Sequence, residues 1–340
     1  MQFESLGEQL NQTILSVEGL QVMFPTSKGN LIAVDNVDLK IGKAETIGIV
    51  GESGSGKTVT GRAILNLVPK PGRISRGRII FNGRDILGLG EDEIRQVRGK
   101  EISTVLQDPL SSLNPAFKVQ TQMIDILMLH KNMNKDQAIA ESAEILRQLG
   151  ITNPAQVMQR YPHQLSGGMA QRIMIGIAFS CGPSLVIADE PTTALDVITQ
   201  AAVIELMKKF QKRSDTSILF ITHNLGLAAK VCDRIAVMYA GEIVEMADVK
   251  EIFKRPSHPY TKNLLMSVPK LSDTQKKIPS MPGGLSTLIN PPVGCRFYDR
   301  CSIHIPACRG SKIQYQELGS DSSSHKALCI RAQEAGEIKA

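Results

Sequence analysis

Residues 51–58 read GESGSGKT and match the phosphate-binding loop pattern G-x-x-x-x-G-K-[ST] at every fixed position. A strand-like run, ETIGIV, precedes this loop and a helix-like run, VTGRAILNLV, follows it, which is the context that the pattern requires. Glycines let backbone N–H groups surround phosphate oxygens, Lys57 reaches the outer phosphates, and Thr58 can ligate Mg²⁺. The stretch predicts a site for ATP and Mg²⁺, with Lys57 also catalytic, formed by Gly51, Glu52, Ser53, Gly54, Ser55, Gly56, Lys57, Thr58 and Val59.

A second run, SLVIADE at residues 184–190, predicts the catalytic carboxylates. Its apolar residues form a buried strand that ends in Asp189 and Glu190, and ligands of open α/β sheets bind at the carboxyl ends of strands. Asp189 suits a grip on Mg²⁺, whereas Glu190 can orient and deprotonate an attacking water. A strand that ends in solvated carboxylates is the alternative for an Asp-Glu pair standing alone.

The whole chain has an ordinary globular composition, with 340 residues, 42% of them hydrophobic, and a net charge of +6. Its basic residues are scattered, so charge alone does not choose between a solvated surface, anionic lipid and nucleic acid. The N-terminus lacks the apolar core of a secretory signal. The longest uncharged apolar run, at 173–188, is too short for a membrane span and contains Gly182 and Pro183. We expect the chain to stay in the cytoplasm.

The order of the sequence patterns predicts an α/β fold with an antiparallel β subdomain at its start. Short β-rich runs between Ile14 and Ile41 and the Asn82-Gly83 turn signal predict antiparallel strands. Helical periodicity dominates the middle of the chain, after which strands and helices alternate as in a parallel sheet. The chain becomes rich in Pro, Gly and Cys after Tyr260. The predicted parts are a nucleotide-binding domain at 14–265, its helical subdomain at about 110–180, and a C-terminal extension at 266–340.

The run YPHQLSGGMAQR, at 161–172, resembles the signature of ABC (ATP-binding cassette) ATPases, LSGGQ, with Met169 in place of the usual Gln. A Ser hydroxyl and glycine amides at the start of a helix form an anion site. The resemblance implies a P-loop NTPase fold in which Ser166, Gly167 and Gly168 bind ATP held by a partner subunit. LSGG standing alone predicts only an N-capped helix.

The same resemblance implies further roles. Gln107 in STVLQDP matches the loop that contacts Mg²⁺ and couples nucleotide to transport, and Asp196 in TALD matches the loop that crosses the dimer interface. His223 in ITH matches the catalytic switch histidine, although a lone histidine after a strand is more often structural. Phe24 matches the aromatic residue that stacks on adenine, with a place in the core as its alternative.

The later sequence narrows the resemblance to the dipeptide/oligopeptide/nickel branch of bacterial ABC importers. The runs that carry it are FKRPSHPYTKNLLMSVPKL, PGG and PPVGCRFYDRC, which lie between residues 253 and 301. This branch implies an ATPase at the cytoplasmic face of the inner membrane, held there peripherally. The implied partners are a second, paralogous ATPase subunit, two membrane permease subunits and an extracytoplasmic binding protein, with no nucleic acid.

Other functions stay open at this stage. Nickel chelates and oligosaccharides are alternative substrates within the branch. A non-transport ABC ATPase acting on DNA is disfavoured because the segment between the two nucleotide motifs has no coiled-coil heptads. A ribosomal ABC ATPase is disfavoured because only one cassette is present. A metal-cluster regulator with a vestigial ATPase is disfavoured by the intact Glu190 and His223.

Four cysteines of the tail, Cys295, Cys301, Cys308 and Cys329, are separated by 5, 6 and 20 residues. A reducing cytoplasm disfavours disulfides, and structural zinc sites usually contain closely spaced C-x₂₋₄-C pairs. Four thiolates around a [4Fe-4S] cluster need no such pair, and some members of the resembled branch carry this cluster on their tail. We predict the cluster, with a structural role, and keep zinc and free thiols as alternatives.

Overall fold

The computed structural model describes residues 13–193, 195–267, 283–284, 288–318 and 325–337. The chain divides into two compact units. Among the described residues, the first contains 13–14, 42–45 and 88–219, and the second contains 15–41, 46–87 and those from Phe220 onward. Part of the predicted extension lies outside the described residues, and the boundary predicted at residue 265 stays a prediction.

The described strands and helices follow one another along both units. The strands are β1 Thr13–Thr26, β2 Gly29–Gly42, β3 Thr46–Val50, β4 Arg73–Phe81, β5 Arg84–Asp85, β6 Ile102–Val105, β7 Leu185–Asp189, β8 Ser217–Thr222, β9 Arg234–Tyr239, β10 Glu242–Asp248, β11 Gln316–Glu317 and β12 Lys326–Ala327. The helices are α1 Lys57–Ile64, α2 Glu91–Val97, α3 Pro109–Ser112, α4 Val119–Lys131, α5 Lys135–Gln148, α6 Pro154–Met158, α7 Gly167–Phe179, α8 Val197–Ser214, α9 Leu225–Val231, α10 Val249–Lys254, α11 Pro259–Met266, α12 Ala307–Gly310 and α13 Ala332–Glu337. Within the described parts of the chain, no helix has the length and hydropathy needed to cross a membrane.

The first unit is rich in helices, as the periodicity of the middle of the chain predicts. Helix α5 begins with a capping box, in which Asn134 Oδ1 accepts from the Gln137 backbone N–H at 2.9 Å and Gln137 Oε1 accepts from that of Asn134 at 3.0 Å. Strands β6 and β7 pair in parallel, with Val105 beside Ala188. The four apolar residues that open β7 are buried, so its polar end alone reaches the surface.

The second unit contains two groups of strands. The antiparallel group has the order β2-β1-β4-β5, which confirms the strand prediction for the N-terminal part. Asn82 and Gly83 both have positive φ, 46° and 77°, and turn β4 into β5 as the Asn-Gly signal predicts. The other group has the order β11-β12-β10-β9-β3, and β3 pairs with β9 in parallel. All five residues of β3 are buried.

Helix α1 is shorter than the run VTGRAILNLV predicts. It ends at Ile64, and Asn66 then takes a left-handed conformation with φ of 52°. A left-handed asparagine and a nearby proline, here Pro69, are common terminators of a helix. Apolar residues therefore continue past the helix without extending it.

A buried carboxylate attaches the late part of the chain to β10. Glu245 is fully buried, and its oxygens accept from the backbone N–H groups of Ser257 at 2.7 Å and His258 at 2.8 Å. His325 Nε2 lies 2.9 Å from Glu245 Oε1, and β12 pairs with β10 beside it. A buried carboxylate needs such partners because burial removes its water. Glu245 thus joins residues that are far apart in the sequence.

Candidate nucleotide-binding site

The phosphate loop, residues 51–58, joins β3 to α1 and has a backbone that requires glycine. Gly54 and Gly56 have φ of 81° and 107°, which residues with a Cβ rarely adopt. A Cβ on Gly51 would lie 2.1 Å from the backbone oxygen of Met238. The fixed glycines of the sequence pattern therefore correspond to positions where any side chain strains the loop.

Two buried polar groups point to an anionic ligand at this loop. Lys57 is 5% exposed, and its Nζ donates to the backbone oxygens of Gly51 and Glu52, both at 2.8 Å. Ser55 is fully buried, and its Oγ has no hydrogen-bond partner among the described residues. A buried hydroxyl without a partner is costly, so a bound phosphate oxygen is a fitting acceptor. Thr58 and Val59 are half-buried in the first turn of α1.

Sequence reasoning missed two residues that hold the loop. Tyr260 Oη accepts from the Glu52 backbone N–H at 2.9 Å, and Arg300 donates to both carboxylate oxygens of Glu52 at 3.0 Å. These residues follow Glu52 by 208 and 248 positions. Both residues lie in runs that carry the resemblance to the importer branch, but those runs do not show that either residue contacts Glu52, because the contacts depend on packing across the second unit.

In the first unit, the structure brings Glu190 and Gln107 together. Glu190 follows β7 with a positive φ of 48°, which is uncommon for a residue with a side chain. Its Oε2 accepts from Gln107 Nε2 at 3.3 Å and from Thr193 Oγ1 at 2.9 Å. Asp189 and Glu190 are half-buried, so both carboxylates remain accessible at the end of a buried strand.

The signature residues begin helix α7. Ser166 is its N-cap, and the Ser166 Oγ accepts from the Met169 backbone N–H at 3.4 Å. Gly167 has open space where a Cβ would stand. A cavity of about 460 Å³ lies against this helix start, and Arg160 and Arg172 contribute to its wall. Positive side chains beside a helix N-terminus suit a phosphate.

The structure places the other predicted residues as follows. Asp196 caps α8 by accepting from the Ile198 and Thr199 backbone N–H groups, both at 3.0 Å. Hydrogen bonds, chiefly from the Thr199 side chain, lower the pKa of Asp196. His223 is exposed directly after β8. Phe24 is half-buried, and its ring packs so close to Gly72 that a Cβ there would lie 2.3 Å from it.

The predicted residues are divided between the two units. The first unit carries Gln107, Ser166, Gly167, Gly168, Asp189 and Glu190. The second unit carries Phe24, the phosphate loop and His223. The role assigned to each of these residues stays a prediction.

The tail cysteines line one small apolar cavity in the second unit. Cys295, Cys301, Cys308 and Cys329 all contribute to its wall, and its volume is about 20 Å³. The described residues contain no disulfide among these cysteines and no ready-made metal-ligand group of three or more His, Cys, Asp or Glu. Burial, with smaller contributions from the neighbouring thiols, raises the pKa of Cys295 to about 12 and that of Cys329 to about 11.

Comparison with known proteins finds two matching families and several similar sequences. The ABC transporter family profile matches residues 34–193, and that of the oligopeptide/dipeptide transporter C-terminal region matches 244–308. The oligopeptide transport ATP-binding protein OppD of Bacillus subtilis is 48% identical over 291 residues, which cover 85% of this chain and 81% of OppD. A putative peptide import ATP-binding protein of Brucella abortus is 42% identical over 335 residues, 95% of this chain and 98% of the relative.

Solved structures extend the likeness to the fold. A bacterial ABC transporter cassette solved as a dimer has a TM-score of 0.62 and 25% identity, covering 69% of this chain and 98% of that chain. CbiO1 from Clostridium perfringens, part of an ABC transporter complex, has a TM-score of 0.61 and 26% identity, covering 72% and 91%. With its phosphate loop, its signature helix and these relatives, the chain belongs to the ATP-binding proteins of the ABC transporter family, which are ATPases of the P-loop NTPase fold.

Proposed function

We propose that this chain is the ATP-hydrolysing subunit of a bacterial ABC importer for dipeptides or oligopeptides. The observation that carries the proposal is the order of two matched regions on one chain, an ABC cassette followed by the oligopeptide/dipeptide transporter C-terminal region. A cassette alone supports ATP hydrolysis in any ABC system. The second region supports the peptide branch, and nickel chelates or oligosaccharides are the alternative cargo.

Different residues of the site bind phosphate, hold Mg²⁺ and accept the proton of the attacking water. Lys57 leaves the loop carbonyls to bind the outer phosphates, and the Ser55 hydroxyl gains the acceptor that it lacks. Thr58, Gln107 and Asp189 are the residues that would hold Mg²⁺, which would supply positive charge to offset that of the phosphates. Glu190, oriented by hydrogen bonds from Gln107 and Thr193, accepts the proton of the attacking water.

The partner ATPase subunit supplies the opposite face of the nucleotide. Ser166, Gly167 and Gly168 of this chain bind the ATP of that partner, and Asp196 lies on the shared interface. His223 contacts the γ-phosphate, and Phe24 stacks on adenine. The exposed start of α7 and the adjacent cavity support this assignment, because an isolated cassette leaves such an anion site open.

Apolar side chains around Gln107 support docking on membrane permeases. Leu106, Leu110 and Phe117 are 42%, 43% and 50% exposed, although they are large and apolar. Exposed apolar groups that cluster in one short segment mark interaction surfaces. We therefore place the chain peripherally at the cytoplasmic face of the inner membrane, with a paralogous ATPase subunit, two permeases and an extracytoplasmic binding protein.

Uptake by intact cells tests the proposal. We expect Lys57→Ala, introduced on the chromosome, to abolish uptake of radiolabelled peptides of two to five residues. Lys209→Ala changes an exposed lysine of α8 and serves as the matched control. Loss of nickel or oligosaccharide uptake instead would reassign the cargo. Unchanged uptake of all three, with the protein recovered on ribosomes or DNA, would overturn the transport function.

We further propose that the extension, 266–340, holds a [4Fe-4S] cluster through Cys295, Cys301, Cys308 and Cys329. The donor set fits, because four thiols line one cavity and no other ligand type is needed. The raised pKa values of Cys295 and Cys329 mean that these two thiols stay protonated until a metal displaces the protons. The cavity that the four thiols line has a volume of about 20 Å³.

Metal analysis separates the cluster from zinc. Protein purified without oxygen is expected to contain about four irons and four acid-labile sulfides per chain, with a brown absorbance. Cys301→Ser removes one ligand and is expected to lose the iron, whereas Cys181→Ser changes a cysteine outside the cavity and keeps it. One zinc per chain without iron would replace the cluster by zinc, and absence of both metals would leave free thiols.

A further inference from the structure

The phosphate loop is held by a side chain from the cysteine-rich extension. Arg300 Nη1 donates to Glu52 Oε2 and Arg300 Nη2 donates to Glu52 Oε1, both at 3.0 Å. Two parallel hydrogen bonds between a guanidinium and a carboxylate are stronger and more directional than a single contact. Glu52 is the second residue of the loop, and Arg300 directly precedes Cys301.

The surroundings of Arg300 restrict its movement. Its side chain is only 7% exposed, compared with 28% for Glu52. The guanidinium carbon lies 5.6 Å from the ring centre of Tyr239 and 5.8 Å from that of Phe297, within the range of cation–π contacts. Arg300 Nη1 also donates to Tyr239 Oη at 3.3 Å. A buried guanidinium with these contacts is a fixed point for the carboxylate that it binds.

Glu52 connects Arg300 to Lys57, the predicted catalytic lysine. Its backbone oxygen accepts from Lys57 Nζ at 2.8 Å, and its backbone N–H donates to Tyr260 Oη at 2.9 Å. The backbone N–H, the backbone oxygen and the carboxylate of Glu52 thus have partners on three sides. A rotation of Glu52 would move one of the two carbonyl groups that hold Lys57 before phosphate binds.

We propose that Arg300 is a positioning residue for the phosphate loop, so that ATP binding by the cassette depends on the C-terminal extension. The inference rests on the proposed function, because it assigns to Arg300 a role in ATP binding at the same loop. The extension acts on the loop through Glu52, and Arg300 itself touches no substrate. Its loss therefore weakens MgATP binding and raises KM more than it lowers kcat.

The experiment uses the full-length chain with four substitutions. Arg300→Met removes the guanidinium, Arg300→Lys keeps the charge but only one donor group, and Glu52→Gln weakens the acceptor. Arg309→Met is the matched control, because Arg309 also lies in the extension and stacks on Tyr298 but is 68% exposed. Binding of a fluorescent MgATP analogue, KM and kcat for ATP, and the unfolding midpoint are measured for each protein.

We expect Arg300→Met to weaken MgATP binding on the order of 10-fold, because a hydrogen-bonded pair of charged groups contributes about this much. The kcat is expected to stay within about 2-fold of the parent, because Arg300 touches no substrate. Arg300→Lys recovers part of the affinity. The double variant with Glu52→Gln binds no more weakly than Arg300→Met alone, because both changes break one interaction. If Arg300→Met does not fold, Glu52→Gln and Arg300→Lys carry the test through their affinities.

Two results would overturn the inference. One is MgATP binding by Arg300→Met equal to that of Arg309→Met, and the other is additive loss in the double variant. Failure of the proposed function is distinguishable, because it would appear as unchanged peptide uptake by cells that carry Lys57→Ala, whereas the role of Arg300 is measured as MgATP binding by the purified protein. If MgATP binding is lost in Lys57→Ala but kept in Arg300→Met, only the role of Arg300 is contradicted, and the proposed function stands.

Discussion

The phosphate loop and the carboxyl end of β7 are built in opposite ways. Contacts with residues 208 and 248 positions later hold Glu52, and the loop buries Ser55 and Lys57. Around β7, by contrast, Glu190 and Gln107 have accessible side chains, and the nearby Asp196 caps its own helix. The loop is thus fixed by contacts within the second unit, whereas the β7 end carries polar side chains that remain accessible.

We expect this difference to separate ATP binding from ATP turnover. A preorganised loop binds phosphate without first ordering its backbone, which reduces the entropic cost of association. The carboxyl end of β7 and the residues near it include those proposed to act after ATP binds, namely the general base and the dimer contacts. Substitutions in the phosphate loop and in the residues that hold it are therefore expected to change ATP affinity. Substitutions near the carboxyl end of β7 are expected to change ATP turnover or association with the proposed partner ATPase.

The largest effect, on ATP turnover, is expected from Glu190→Gln at the carboxyl end of β7. Loss of the general base lowers ATP turnover by on the order of 100-fold or more, while MgATP binding persists. Steady-state ATPase activity and equilibrium binding of the same preparation measure the two quantities. Glu205→Gln changes an exposed glutamate of α8 and serves as the control. Unchanged turnover in Glu190→Gln would remove Glu190 from the mechanism.

Next in size is a change in association from the start of α8. Val197 and Ile198 are 81% and 83% exposed, an unusual state for two adjacent large apolar residues. Val197→Asp is expected to weaken ATP-driven pairing with the partner ATPase about 10-fold or more, with little change in the unfolding midpoint. Analytical ultracentrifugation with MgATP measures the pairing. Leu129→Asp, at a position 61% exposed on α4, is the control. Equal effects of both would argue against an interface at α8.

A smaller effect concerns the pH dependence of stability through Glu242 at the start of β10. Burial raises the pKa of Glu242 to about 7, although Arg296, whose Nε lies 3.4 Å away, lowers it. The unfolded carboxyl ionises near its ordinary pKa of about 4.5, so unfolding is favoured increasingly as the pH rises from there toward 7. We expect the chain to lose about 1 to 2 kcal/mol of unfolding free energy across this window through Glu242.

Glu242→Gln tests that expectation, because glutamine does not titrate. Urea unfolding at intervals from pH 5 to pH 8 is measured for both proteins. The variant is expected to become more stable relative to the parent as the pH rises, with the difference constant above about pH 7. The same slope in both proteins would show that Glu242 is ionised in the folded chain throughout.

The smallest effect is expected from Tyr260→Phe, which removes one hydrogen bond from the phosphate loop. Phenylalanine keeps the ring, which packs against Tyr239 and Phe297, but it leaves the Glu52 N–H without its acceptor. A lost hydrogen bond of this type costs about 1 kcal/mol, so MgATP affinity should fall roughly 5-fold. Tyr298→Phe in the extension is the control. An affinity equal to that of the control would show that the loop keeps its shape without Tyr260.

Much of the fold was predictable because it depends on local patterns. The phosphate loop, the buried strand before Glu190, the Asn82-Gly83 turn and the helices of the first unit all follow from short-range periodicity and from residues with special backbone freedom. The end of α1 was not predicted, because apolar residues continue past Ile64 while Asn66 turns the backbone. Apolar periodicity shows what is buried better than where a helix stops.

The sequence by itself determined which chemical groups this protein has: a phosphate loop, two carboxylates after a strand, a signature helix and four late cysteines. Only the tertiary structure decided that Arg300 and Tyr260 reach back to Glu52, and that the four cysteines line one cavity. The physical reason is that motifs record local backbone and side-chain requirements. A contact across more than 200 residues depends on how sheets and loops pack, which no short pattern encodes.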